Sequence, residues 1–343
     1  MRRTMFSLIT LAILAVLLGC STSIPVTVTK PAEINMAGNR VVAVLDFRYP
    51  VDTTISGKDL LQWAINKLTG LQIATEAGVE QKLADYTTSQ VIRTLLDTGY
   101  FQLVSPQQVV QKMQGGLNAG TTAVDIGHAV NAQAIVNGEL YLLETNDEQW
   151  TDERTVTDAD TGEEQTVDVR MIKRTARVGM TYEVVNTATG RVVASRSFQD
   201  ENSEDRELAD KSDLPDVEDM YQEIVDSFMP KMARQLAPYQ VREYRTLMRD
   251  KSKDPRLEQA DELVKGRIYD SALEIFLSVW QENGNVAAGY NAAILYEVTG
   301  QVDMAIDQMR AVVDRTADKK AMREYNRLLT VKQERERLIE QQG

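Results

Sequence analysis

The sequence predicts an α/β (α+β) body with a mixed sheet and a long antiparallel hairpin, followed by an all-α domain of helical hairpins. Three observations carry that prediction. Val41 to Phe47, "VVAVLDF", is a near-continuous apolar run, the pattern of a strand buried on both faces. Thr166 to Val185 and Arg191 to Phe198 alternate apolar and polar residues on either side of the turn "NTATG", as in an antiparallel meander. From Arg256 onward the apolar spacing is helical. With 343 residues the chain also exceeds the ~250–300 at which one core stops growing, so two domains are expected.

The chain opens with "MRRTMFSLITLAILAVLLGC": two arginines, an apolar run from Met5 to Leu18, then Gly19 and Cys20. The run falls short of the ~20 residues a span needs and ends at a processing site, so residues 1–20 read as a lipoprotein signal peptide. Leu17-Leu18-Gly19-Cys20 matches the bacterial lipobox, whose cysteine receives the lipid. An ordinary signal peptide with a chance cysteine is the alternative, but Cys20 is the only cysteine and directly follows the small residue. Lipid on Cys20 would anchor the chain without spanning. Residues 21–39, polar with two prolines, read as a periplasmic tether.

The α/β domain is expected over residues 40–240. After the central strand come a short amphipathic piece (Leu60 to Leu68) and a helix from Val79 to Leu96 stopped by Gly99. Phe101 to Val104 is the next strand, and Ser105-Pro106-Gln107-Gln108 opens a helix with a capping box. Thr121 to Val130 reads as a short helix, Ala134 to Leu143 as a strand. Thr166 to Val185 and Arg191 to Phe198 follow as strands around the turn "NTATG". Asp216 to Leu236 is a helix with Pro230 inside and Pro238 beyond its end. Residues 241–255 form the linker, with Tyr239 to Met248 open between strand and helix and "RDKSKDP" charged.

Residues 256–343 carry a tetratricopeptide-like pattern. Ala292, Ala293, Tyr296, Gly300, Ala305 and Met309 stand at small and large positions that let paired helices approach. A looser copy, "KGRIYDSALEIF", precedes it with one inserted residue. A groove around Asn291, Tyr296, Tyr269 and Tyr290 is the candidate protein-binding site, with repeat core as the plainer role for the same residues. Trp280, at helical spacing from Phe276, reads as repeat core.

Composition removes several functions. The net charge is −13, and loss of Arg2 and Arg3 with the signal brings it to −15, which argues against nucleic acid or anionic lipid headgroups as main partner. His128 is the only histidine, so no second one can share a metal, and no Gly-x-Ser-x-Gly elbow supports a triad through it. No phosphate-binding glycine loop is present. Asp158 and Asp160 match the first two ligands of an EF-hand loop, but Gly162 and Val169 stand where later ligands belong, so a hairpin turn is the better reading. No catalytic residue, metal or cofactor is assigned.

Taken together, the lipobox, "VVAVLDF", "LLDTGYFQLVSPQQV", "AQAIVNGELY" and "YEVVNTATGRVVASRSF" resemble the CsgG-like (curli-secretion) lipoprotein family over roughly Arg40 to Pro238. The body also looks like the amino-terminal domain of the TolB translocation protein and like lipoproteins that activate peptidoglycan synthases. The resemblance implies a three-layer periplasmic α/β domain used for assembly and protein contacts. Ser21 after the cysteine implies, by similarity to sorted lipoproteins, delivery to the outer membrane. In the channel-forming member two hairpins enter the membrane. Here the corresponding segments, Asn146 to Lys173 and Asp200 to Asp213, carry charges on both faces, against insertion. Glu148 to Met171 is therefore expected as a hairpin projecting into water. The expected function is a non-enzymatic docking or assembly factor for envelope proteins or peptides, with homo-oligomerisation open. The alternatives are a curli-type channel component or an activator of a peptidoglycan synthase.

Overall fold

The computed structural model describes residues 22–36, 38–49, 78–105, 107–109, 122–157, 162–209 and 214–342. The signal segment with Cys20 and the Leu60 to Leu68 piece lie outside them. The described strands are β1 (Ser23–Lys30), β2 (Val41–Val44), β3 (Gln102–Leu103), β4 (Ala134–Thr157), β5 (Glu164–Asn186), β6 (Val192–Glu207) and β7 (Tyr239–Thr246). The described helices are α1 (Val79–Asp97), α2 (Ala123–Ala129), α3 (Val217–Leu236), α4 (Pro255–Lys265), α5 (Tyr269–Asn283), α6 (Val286–Val298), α7 (Val302–Thr316) and α8 (Lys319–Gln342). The chain divides into two compact units, Ala32–Tyr239 with Glu340–Gly343, and Met1–Pro31 with Gln240–Ile339.

The first unit is mixed α+β, built on a five-stranded sheet in the order β3-β2-β4-β5-β6. Its β3/β2 and β2/β4 pairs are parallel, and β4/β5 and β5/β6 are antiparallel. Val42 and Val44 enter one core with residues of α1 and α3, while Ala43 enters another with Ile126 of α2. The apolar run of β2 is therefore buried on both faces, as its lack of alternation predicts.

Each helix is started and seated by identifiable groups. Thr87 and Thr88 of α1 are buried yet satisfied by the carbonyls of Leu83 and Ala84, and the Thr88 hydroxyl also accepts the Phe47 N–H at 2.8 Å. Thr122 and Asp125 form a reciprocal capping box on α2. Asp216 caps α3 through the Glu218 N–H, and Pro230 sits on its exposed side, where water can satisfy the carbonyl it strands. Tyr182, Phe198 and Phe228 stack in sequence at 6.0 and 5.4 Å, joining β5 and β6 to α3. The Tyr182 hydroxyl donates to Gln235 at 2.7 Å. Burying one such ring is worth about 1.5–3 kcal/mol.

An irregularity in β4 sets how its two halves face. The register shifts between Leu140 and Leu142, leaving Tyr141 as a bulge. One extra residue inverts the alternation, so Leu143 packs on the same core as Val136 and Leu140, and the Thr145 hydroxyl reaches Tyr221 of α3 at 2.6 Å. Beyond it β4 continues through Thr157, well past the Leu143 end that sequence alternation suggests. Residues 200–207, expected as part of a second hairpin, instead continue β6 against β5. Asp205, Glu204 and Glu201 there stand opposite Lys173, Arg174 and Arg177 of β5, a complementarity that a run of acids hides.

In the second unit α4 to α7 pack consecutively and α8 adds Ala321 and Leu328 to the same core, with Asp254 capping α4 and Pro255 at its first turn. Ala260, Ala272, Ala288, Ala292, Ala293 and Ala305 are all fully buried, which brings the helices close. Trp280 lies in this core with Phe276. Two expectations are corrected here. Ser23–Lys30, expected as tether, is a strand, because Ile24, Val26 and Val28 alternate with threonine and serine and Ile24 is buried in the helical core. Its partner is β7, so Tyr239–Thr246 is strand and the linker shrinks to the charged turn after it.

Gly138 has no room for a side chain: a Cβ there would lie 2.2 Å from the Phe47 ring and 2.5 Å from the Thr181 carbonyl oxygen. Gly138→Ala is expected to lower stability by about 1–3 kcal/mol in urea unfolding, as overpacking does. Gly266→Ala, whose nearest neighbours stand at 3.4 Å or more, is expected to fall well short of that loss.

Candidate functional site

The candidate surface in the first unit is the outer part of the β4–β5 hairpin. Pairing runs unbroken from Leu142 opposite Gly179 to Thr157 opposite Glu164, and β6 accompanies β5 only as far as Met171. Thr151–Thr157 and Glu164–Arg170 thus form a two-stranded ribbon, exposed except for half-buried Val169. Gly162, in the reversal, adopts the left-handed φ of +73° that a side chain would resist. Asp158 to Thr161 lie outside the described residues.

Cross-strand register assigns the faces. Trp150, Met171, Val169, Val167 and Val156 share one face with Asp152, Arg154 and Glu207. Thr151, Glu153, Thr155, Thr157, Arg170, Asp168, Thr166 and Glu164 make up the other. Trp150 and Val156 are 41% and 49% exposed. Arg154 pairs with Glu207 at 2.9 Å and Asp152 at 3.5 Å, and its Nη2 lies 3.4 Å from the Met171 sulfur. Glu153 faces Asp168 directly on the other side, a like-charge pair that works against the hairpin. Where the ribbon joins the sheet, Arg174 holds Asp147 through two bonds at 2.9 and 3.0 Å and donates to the Pro215 carbonyl. Exposed pairs of this kind contribute ~0–1 kcal/mol each, so they fix register more than stability.

In the second unit an alternating chain of charges ties strands to helices. It runs Glu334, Lys30, Glu243, Arg245, Glu297, Arg327, Glu324. Lys30 lies 2.8 Å from Glu334 and 3.0 Å from Glu243; Arg245 lies 2.8 Å from Glu243 and 2.9 Å from Glu297. The Arg245 and Glu297 side chains are only 5% and 8% exposed. Burial pushes Glu243 up, but bonds and charge from Arg245 and Lys30 outweigh it and hold the carboxyl below its usual range. Burial pulls Lys30 down, and the bonds to Glu334 and Glu243 reverse that and raise it.

This chain walls a cleft of about 310 Å³ between β1, the turn after α6 and α8, lined by Val26, Val28, Val298, Val302 and Leu338 among others. A second cleft of about 510 Å³ adjoins it, sharing Gly300, Val302 and Arg335. None of the four residues expected at the binding groove lines either cleft. Asn291 is buried, and its amide exchanges two hydrogen bonds with the backbone of Met248, at 2.6 and 3.0 Å. Tyr290 is buried with Lys320 over its ring, and burial raises its hydroxyl pKa. Tyr269 and Tyr296 are half-buried on α5 and α6. Cys20 lies outside the described residues. The cleft escapes sequence reading because the residues of β1 read as tether.

His128 is exposed on α2, three residues from the capping Asp125. Among the described residues no group of three His, Cys, Asp or Glu side chains could hold a metal, and no helix is long and apolar enough to cross a membrane.

No family model matches this chain, and no curated protein matches it. Among solved structures it is similar to the LpoB C-terminal domain from Salmonella enterica, at 14% identity over 48% of this chain and 84% of that one, with a TM-score of 0.26. The PelC dodecamer from Paraburkholderia phytofirmans is similar at 13% identity over 63% of this chain and 99% of that one, TM-score 0.26. Lipoprotein GNA1162 from Neisseria meningitidis is similar at 9% identity over 57% and 98%, TM-score 0.26. Likeness this weak carries neither activity nor partner across.

Removing the Glu297 carboxylate would break the middle of the chain, leaving buried Arg245 with Glu243 alone and Arg327 with Glu324 alone. Glu297→Ala is expected to cost about 3–5 kcal/mol, read by urea unfolding through Trp280 in a chain with the other two tryptophans replaced. The folded pKa of Glu243 is depressed, so its contribution is complete above the unfolded carboxylate value and is lost as pH falls through the folded one. The acid limb of the stability profile is expected to flatten in Glu243→Gln; an unchanged limb would count against the charge chain.

Proposed function

We propose that this chain is an outer-membrane-anchored periplasmic lipoprotein that docks other envelope proteins without chemistry of its own. Its CsgG-like body serves as the platform and its tetratricopeptide-like helices as a second contact surface. The observation that carries the reading is the outer β4–β5 ribbon. It extends past its own sheet, keeps Val156 and Val167 in the open with Trp150 at its base, and has no described strand on the outer edge of β4 beyond Leu140. Such a ribbon costs ordering entropy and buries almost nothing, so a partner that pairs with its edge or covers its face accounts for its persistence.

A curli-type channel would need that apolar face in lipid. Asp152 and Arg154 sit in its middle, and an arginine at the bilayer midplane costs about 2–4 kcal/mol. Activation of a peptidoglycan synthase is a docking function of the proposed kind, distinguished by what the ribbon binds.

A photo-crosslinking amino acid replacing Trp150 in the anchored chain is expected to yield a discrete adduct with an envelope protein, while the same group at exposed His128 of α2 yields none. Equal labelling from both positions, or no adduct from the ribbon, would contradict the reading.

A further inference from the structure

The lipobox and the first strand leave almost no chain between them. The Thr22 carbonyl accepts the N–H of Leu247 at 2.9 Å, and Ile24 is already buried in the helical core. Only Ser21 separates Thr22 from Cys20. Consecutive Cα atoms stand ~3.8 Å apart, so two residues of chain span at most about 8 Å from Thr22. Acylation at Cys20 would therefore bring the second unit itself, at the end of β7, against the bilayer.

Leu247 leads within two residues into "RDKSKDP". The acids of this turn face inward. Asp250 accepts from the Ser252 N–H and hydroxyl, the Asp254 N–H and Asn285 Nδ2. Burial pushes Asp250 up, and those bonds outweigh it and hold its carboxyl down at about 2. Asp254 caps α4 and pairs with Arg256 at 2.8 Å. Arg249, Lys251 and Lys253 are exposed, and among the described residues none of the three has an ion-pair partner. A chain of net charge −13 thus presents three neighbouring free cations beside its point of lipid attachment.

We propose that the turn Arg249 to Pro255 lies on the bilayer and binds the phosphates of anionic phospholipid headgroups, a proposal that rests on acylation of Cys20. Three cations hold a soluble acidic protein to a membrane only weakly. With the anchor in place the turn cannot leave the surface, and the same attraction suffices to set how the second unit meets it. Overall acidity and a local cationic contact are compatible, because charges more than ~8–10 Å away are screened at physiological salt.

The test uses the full acylated chain carrying Thr246→Cys. The Cys20 sulfur is then blocked by lipid, so a nitroxide label attaches at position 246 alone. In vesicles of phosphatidylethanolamine and phosphatidylglycerol doped with nickel-chelating lipid, strong relaxation of this label is expected, and little for a label at Asp307→Cys. Combining Arg249→Gln, Lys251→Gln and Lys253→Gln is expected to lower the ratio of docked to undocked chains on the order of 10- to 100-fold. Replacing the lipids with phosphatidylcholine should act in the same direction. Relaxation unchanged by both would overturn the proposal while leaving the lipoprotein reading intact. Mass spectrometry showing Cys20 without acyl chains would overturn both.

Discussion

Everything in the first unit depends on the ladder between β4 and β5. β5 is the strand with a full-length neighbour on one side and a second on the other, and its inner half carries Ala176, Val178, Met180, Tyr182 and Val184 toward the helices. That row keeps its period of two without interruption. β4 does not, and the bulge at Tyr141 absorbs the mismatch, so that both strands offer apolar residues to α1 and α3 before and after it. Tyr141 then covers Gly179, where a Cβ would stand 2.6 Å from the ring. The ladder has two characters: packed under helices as far as Ala176, and a bare ribbon beyond Met171.

The second unit is held by a different balance. Its core is supplied by alanines and a few large side chains, which suits helix on helix. A two-stranded ribbon is marginal by itself. β1 and β7 keep their place because Ile24 enters the helical core and because Lys30, Glu243 and Arg245 join Glu297, Arg327 and Glu334 on the helices. Breaking such a chain is costly although building it contributes little net stability, so its value is in specifying where the ribbon sits. The clefts that follow from that seating are consequences of the charge chain.

Much of this was legible in the sequence. β2, α1, α2 and α3 stand close to where periodicity, caps and stop residues put them, since each is decided by local pattern and burial on one core. The outer hairpin was legible as charged and solvated. Its amphipathic division was not, because a bulge at Tyr141 shifts parity and nothing in a string of residues marks it. β1 was missed because two prolines and several threonines resemble a linker, while the partner strand that makes it a ribbon lies more than two hundred residues away. Repeat spacing marks Asn291 and Tyr290 as candidate groove residues, but it cannot reveal that Asn291 is occupied with the Met248 backbone. Arg245 and Glu297 offered no signal at all: two charges among 89 gain meaning only when folding buries them side by side.

Under the proposed function the inner ladder is scaffold and the outer ribbon is for a partner. Trp150 and Met171 face each other directly, so Thr151 to Arg170 can be replaced by an Asn-Gly turn without disturbing the sheet. The decisive measurement is thermal unfolding of that shortened chain alongside co-isolation of its envelope partners from membranes. A melting temperature within a few degrees of the full chain together with loss of the partner is the predicted result. A scaffold that no longer folds, or a partner retained without the ribbon, would contradict it.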